Sequence, residues 1–274
     1  MHDGGRRFVV EFPPPPLMRS HGTVLMIQPF AEEFNLCRRV LAEQARRLSE
    51  RGWHIVLPEL FATGDSDGEE SSISLARWRD DLDCLTQRAC AQTPGPLVVI
   101  APRLAALLAV DLVKRRPRVV QAMVLWQVPE TGNQILDPLT KVSLNGAERQ
   151  IVQSVVEPEL HSSSVRVAGV SYLRSFIDEL AALSAGAPLN APSSASLRVQ
   201  FIQVARNELA LKRAAERLAP MLDTWRVAGC QTGLDAVIAE PFWASMEPTL
   251  PEAVFVATER LLDEFLTTRY ALRN

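Results

Sequence analysis

Few side chains in this sequence are of the types that do chemistry near neutral pH, and they lie apart. The histidines are His2, His21, His54 and His161, and the cysteines are Cys37, Cys84, Cys90 and Cys230. No CxxC, HExxH or zinc-like spacing occurs among them, so neither a metal centre nor a cofactor is expected. In a reducing compartment the four thiols are expected in or near the core. Cys37 falls in the first turn of a helical segment, where a helix dipole lowers a thiol pKa, but it has no histidine nearby to serve as a base. Glu32 and Glu33 follow a strand. Two adjacent carboxylates repel, so one is expected to point away or to meet a cation. Arg103 falls between an apolar strand and a helix. A guanidinium beside a helix N-terminus is a good receiver for a carboxylate, phosphate or sulfate.

The surrounding elements decide whether these groups can meet. The chain has 274 residues, 47% hydrophobic and 22% charged, with 29 basic against 32 acidic side chains. That is the balance of a soluble globular protein, and it speaks against bulk electrostatic binding to nucleic acid. The first residues, Met1 to Arg7, have no apolar stretch of signal-peptide type. The longest apolar run, 97–113, is interrupted by Pro102, Arg103 and Asp111, so no membrane span is expected. A cytoplasmic location follows as an expectation.

Short apolar strands alternate with amphipathic helices. Strands are predicted at 23–27, 54–57, 97–101, 122–126, 197–204 and 234–239, with an edge strand at 7–12 that Pro13–Pro16 would end. Those four prolines also have the character of a polyproline ligand for a partner domain. Helices are predicted at 35–51, 73–91, 104–114, 209–227 and 251–268, the first capped by Asn35 and stopped by Gly52. This rhythm predicts a mostly parallel sheet covered on both faces. It is lost between 128 and 196, a stretch with five prolines, which is read as an inserted cap of short helices. The core would then comprise 1–127 and 197–274. Ligands of such sheets sit at the carboxyl ends of the strands, where 28–35, 58–68, 101–105 and 239–243 converge.

The strand order, the loop ending Gly64-Asp65-Ser66 and the strand–turn–helix at 97–114 resemble the α/β-hydrolase superfamily. More narrowly, Gln28-Pro29-Phe30-Ala31-Glu32-Glu33-Phe34-Asn35 with Arg38 and Arg39 resembles the exosortase A system-associated hydrolase 2 family. So do Leu125-Trp126-Gln127, Val167-Ala168-Gly169 and Glu240-Pro241-Phe242-Trp243. The resemblance spans nearly the whole chain. It implies an α/β-hydrolase fold with a lid, and a place in a bacterial system that makes exopolysaccharide and sorts envelope proteins.

The superfamily's nucleophile stands in G-x-S-x-G on a strained strand-to-helix turn. The matching pentad here is Ala101-Pro102-Arg103-Leu104-Ala105. The outer positions stay small, but Arg103 occupies the nucleophile position and is no nucleophile. The histidine position, after the last strand, holds Glu240 to Trp243, and no histidine follows His161. Glu208 matches the acid position. Ser66, Cys37 and His161 are the available substitutes for the missing groups. Expected ligand contacts are Arg103, Leu104, Phe30, Ala31, Glu32 and Trp243. Arg103 has two readings: it receives an anionic ligand, or it is already paired with Glu32, Glu33, Glu208 or Glu240. The resulting expectation is a non-catalytic or atypical hydrolase-like protein that binds a small anionic ligand or an envelope or exopolysaccharide biosynthesis protein. Two alternatives remain: an ester or thioester hydrolase with a non-standard nucleophile, and an interaction protein whose pocket is filled by Trp243, Phe242, Phe30 and Phe61.

Overall fold

The computed structural model describes residues 5–142, 163–186, 197–245 and 249–271. A seven-stranded sheet runs in the order β1 (Val9–Phe12), β3 (His54–Pro58), β2 (Thr23–Met26), β4 (Leu97–Pro102), β5 (Ala122–Trp126), β8 (Arg198–Ala205) and β9 (Gln231–Ile238). β1 is antiparallel to β3, and every other pairing is parallel.

The strands alternate their side chains between two apolar layers. Leu25, Val99, Leu125 and Phe201 face one layer with Leu82, Leu108 and Leu218, from α2 (Leu75–Gln92), α3 (Leu104–Arg115) and α6 (Glu208–Val227). Val24, Ile100, Val124 and Ile202 face the other with Leu41 and Phe255, from α1 (Glu32–Glu50) and α7 (Glu252–Ala271). β2, β4 and β5 are buried along their whole length. That is why they read as continuous apolar runs.

Between β5 and β8 lie α4 (Asn133–Val142), the antiparallel hairpin β6 (Ser164–Val167) and β7 (Val170–Leu173), and α5 (Arg174–Ala181). The hairpin was not anticipated from the prolines and serines around it. Its two-residue turn has Ala168 at φ 48° and Gly169 at φ 85°, the positive-φ pair that matches the twist of a hairpin. Other parts of the 128–196 segment, His161 included, lie outside the described residues.

Several boundaries differ from expectation: β1 starts at Val9 and β9 at Gln231, against 7 and 234, and two helix starts move as well. α1 starts at Glu32, with Ala31 at its N-cap position, four residues before the anticipated Asn35 cap, so Asn35 is an exposed residue within the helix. The acidic Glu32 and Glu33 in its first turn suit the helix dipole and allow the earlier start. Ser74 caps α2, its Oγ accepting from Arg77 N at 3.3 Å, so Ile73 stays outside the helix. The thiols also divide: Cys37 and Cys230 are buried, Cys84 is half-buried, and Cys90 is exposed on α2, against the expectation for all four.

Candidate functional site

The strand-to-helix turn after β4 is made at one residue. Arg103 has φ 57° and ψ −129°, a sparsely populated backbone state for a residue with a side chain. Its N–H donates to Trp126 O at 2.8 Å, and its carbonyl accepts from Ala106 N at 3.0 Å. Ala101 and Ala105 are fully buried on either side, so the turn is packed too closely for larger flanking residues.

The Arg103 guanidinium does not stand open. Its Nε and a terminal nitrogen donate to one oxygen of Glu33, at 2.9 and 2.8 Å. Its face lies 4.9 Å over the Trp243 ring, a cation–π contact. Trp243 packs edge-on against Phe242, which packs against Trp126 on the next strand. Glu33 is buried, and among the described residues its second oxygen, Oε2, has no hydrogen-bond donor. Burial pushes the Glu33 carboxyl above its ordinary range, outweighing the opposing pull of Arg103.

Glu33 is thus the one of the four candidate carboxylates that meets Arg103. Glu32 is exposed. Glu240 pairs with Arg206 at 2.7 Å. Glu208, at the acid position, is exposed in the first turn of α6 and is not bonded to Arg103.

The other candidate nucleophiles are committed elsewhere. The Ser66 hydroxyl donates to Glu59 O at 2.6 Å and accepts from Phe8 N at 2.9 Å. Cys37 is fully buried, and burial with the nearby Glu33 charge pushes its thiol up, away from a reactive thiolate. His54 opens β3 and contacts Thr93 and Glu11, while His21 precedes β2. Both lie where the parallel strands begin, at the opposite end of the sheet from Arg103. His2 and His161 lie outside the described residues.

The remaining expected contacts separate. Leu104 is fully buried in the core. Phe30, Ala31 and Glu32 line a cavity of about 650 Å3, which neither Arg103 nor Trp243 borders. Its other walls include Arg38, Thr63, Arg166 and Tyr172, so it opens between the start of α1, the loop after β3 and the β6–β7 hairpin. Phe61 and Phe242 do not fill it. Phe61 is buried beneath the guanidinium groups of Arg7 and Arg77, and Phe242 lies against Trp126.

The wall after β3 is rigid. Buried Glu59 accepts from Arg38 at 2.8 Å and from Asp65 N at 2.5 Å. Gly64 has φ 55°, and a Cβ there would meet Glu59 Oε2 at 2.1 Å, so a side chain at this position would have to displace the buried carboxylate from its partners. Of the residues not counted among the ligand contacts, Arg38 and the Val167-Ala168-Gly169 turn stood in distinctive motifs. Arg166 and Tyr172 carried no such signal. Among the described residues no group of His, Cys, Asp or Glu could hold a metal ion, and no helix is long and apolar enough to cross a membrane.

The strand order, the strained turn after β4 and the helices on both faces define an α/β-hydrolase fold, and solved structures bear this out across nearly the whole chain. The ferulic-acid-bound Est1E of Butyrivibrio proteoclasticus is similar with a TM-score of 0.63 at 11% identity, over 96% of each chain. A loop variant of the haloalkane dehalogenase DbeA from Bradyrhizobium elkanii gives 0.60 at 16% identity, over 99% of this chain and 97% of that one. The mouse alpha/beta hydrolase domain-containing protein 10 gives 0.58 at 12% identity, over 97% of both. No family model and no curated protein matches the sequence.

Proposed function

We propose that this is an α/β-hydrolase-fold protein that does not hydrolyse esters and acts instead as a binding protein. The observation that carries the reading is the fork of Arg103 on Glu33 where the fold elsewhere presents a nucleophile. In this reading the cavity of about 650 Å3 at the start of α1 is the binding site, with the β6–β7 hairpin as one wall. Arg38 and Arg166 on its walls suit an anionic group, and Phe30, Phe34 and Tyr172 suit an apolar or flat portion of the same small molecule. The resemblance of several short segments to the exosortase A system-associated hydrolase 2 family supports a role in exopolysaccharide production or envelope sorting, with the ligand or a partner protein drawn from that system.

Assay with short p-nitrophenyl esters and thioesters tests the reading. Hydrolysis is expected at background, and Arg103→Ser is expected to gain none, because it restores the hydroxyl without a base. Turnover above about 1 s⁻¹, the low end for ordinary enzymes, would overturn the non-hydrolytic reading in favour of a hydrolase with a non-standard nucleophile.

A further inference from the structure

The two edges of the large sheet are built differently. At one end β1 is four residues long, carries Glu11 in contact with His54 and Arg88, and is ended by Pro13–Pro16. A short strand with a charge and prolines is guarded against further pairing. At the other end β9 runs for eight residues without proline or lysine. Its one charged side chain, Asp235, is turned back onto the protein. It accepts from Gln200 Nε2 at 2.9 Å and from Arg260 of α7. Gln200 lies over Gly233, where a Cβ would meet its Oε1 at 2.2 Å, so the missing side chain leaves room for this contact.

The bonds to β8 fix which groups of β9 face outward. Gln231 N donates to Leu197 O at 3.0 Å, and Ala239 N donates to Ala205 O at 3.1 Å. Alternate residues of a strand bond to the same neighbour, so the odd-numbered residues pair with β8. Thr232, Leu234, Ala236 and Ile238 therefore turn their N–H and C=O groups away from the sheet. Among the described residues no strand pairs with this edge. Leu234 is half-buried, Ala236 is exposed, and Ile238 is 51% exposed.

An edge of this kind is a template for another strand, and β9 complements itself. A two-fold antiparallel pairing sets outward residues against outward residues, and it can be centred on Leu234, Asp235 or Ala236. Centred on Asp235, it brings two aspartates face to face, which is unfavourable. Centred on Leu234, it leaves Ile238 beyond the paired region. Centred on Ala236, it lays Leu234 against Ile238 of the second copy on one face and Asp235 against Val237 of the second copy on the other. The small Ala236 then lies on the axis, and no like charges oppose each other within the strand.

We propose that two copies of this chain associate through β9, antiparallel about a two-fold axis at Ala236, so that their seven-stranded sheets join into one.

Sedimentation velocity of the full chain over a range of concentrations tests this, and a dimer is expected. Ala236→Pro removes an outward N–H and leaves the bonds to β8 in place, so it is compatible with the fold. It is expected to weaken dimerisation by about tenfold or more. Ile238→Lys, at an exposed position, sets a charge against Leu234 of the second copy and serves should the proline variant fail to fold. Hydrogen exchange reads the contact directly: the amides of Leu234, Ala236 and Ile238 are expected to slow as the dimer forms. A chain that stays monomeric at every concentration would overturn the proposal. So would a dimer that the folded variant leaves intact. Equal protection of these amides in monomer and dimer would also overturn it, by assigning the edge to another segment of the same chain.

Discussion

Two turns in this molecule share one backbone state and differ in what they carry. Ala31, entering α1 from β2, has φ 56° and ψ −129°; Arg103, entering α3 from β4, has φ 57° and ψ −129°. Each holds a non-glycine residue in a conformation that costs about 1–3 kcal/mol. At Ala31 the side chain is a methyl group beside an open cavity. At Arg103 the side chain reaches across to Glu33, two residues past Ala31. The turn after β4 carries this strain, while the side chain it presents ties the start of α3 to α1. Backbone strain is therefore evidence of fold, and only the side chain at its tip decides the chemistry.

The comparison is broken most severely at Arg103. Arg103→Ala leaves the Glu33 carboxylate buried without a partner, and such a loss typically costs about 3–5 kcal/mol. Denaturant unfolding at pH 7 should show this cost. It should shrink as pH falls toward 5, because the stranded carboxyl can take up a proton. An equal cost at both pH values would mean that Arg103 acts through packing on Trp243 rather than through Glu33.

A smaller effect separates the charge of Glu33 from its shape. A carboxyl whose pKa is higher in the folded than in the unfolded state binds its proton more tightly when folded. It favours folding at low pH, and that contribution is lost as pH rises from the ordinary value of 4.5 through the folded value. The stability of the wild type relative to Glu33→Gln should therefore fall as pH rises above 4.5. A difference that rises instead would show that Arg103, not burial, dominates the carboxyl.

The smallest expected change is at the other turn. Ala31→Gly relieves the positive φ without removing a bond, so it should stabilise the protein or leave it within about 1 kcal/mol of the wild type in thermal unfolding. A loss of 2 kcal/mol or more would mean that the Ala31 methyl is a packing group and not merely a tolerated one.

The sequence was most legible where a residue's surroundings are local. Buried strands such as Ala122–Trp126 read directly from apolar runs, and Gly52 marked the end of α1. The small–Pro–Arg–Leu–small pentad located the strained turn through its resemblance to the superfamily's G-x-S-x-G elbow, whose small outer positions it keeps. What the residues did not decide was which carboxylate meets Arg103. Glu32 and Glu33 open α1, Glu208 opens α6 and Glu240 follows β9, and only the tertiary packing selects Glu33. The early start of α1 was hidden because Ala31 is not a capping residue, while Asn35 is a good one. The cavity's far wall depended on a hairpin within a segment that has neither helical nor strand periodicity in its surroundings. Its one local clue was Ala168-Gly169.

The central claim is that the strained turn after β4 carries an internal ion pair. A double-mutant cycle of Arg103→Ala and Glu33→Ala at pH 7, followed by denaturant unfolding, measures it most directly. A coupling of about 2 kcal/mol or more is expected for a buried pair in direct contact. Additive losses, with coupling within about 0.5 kcal/mol of zero, would contradict the account.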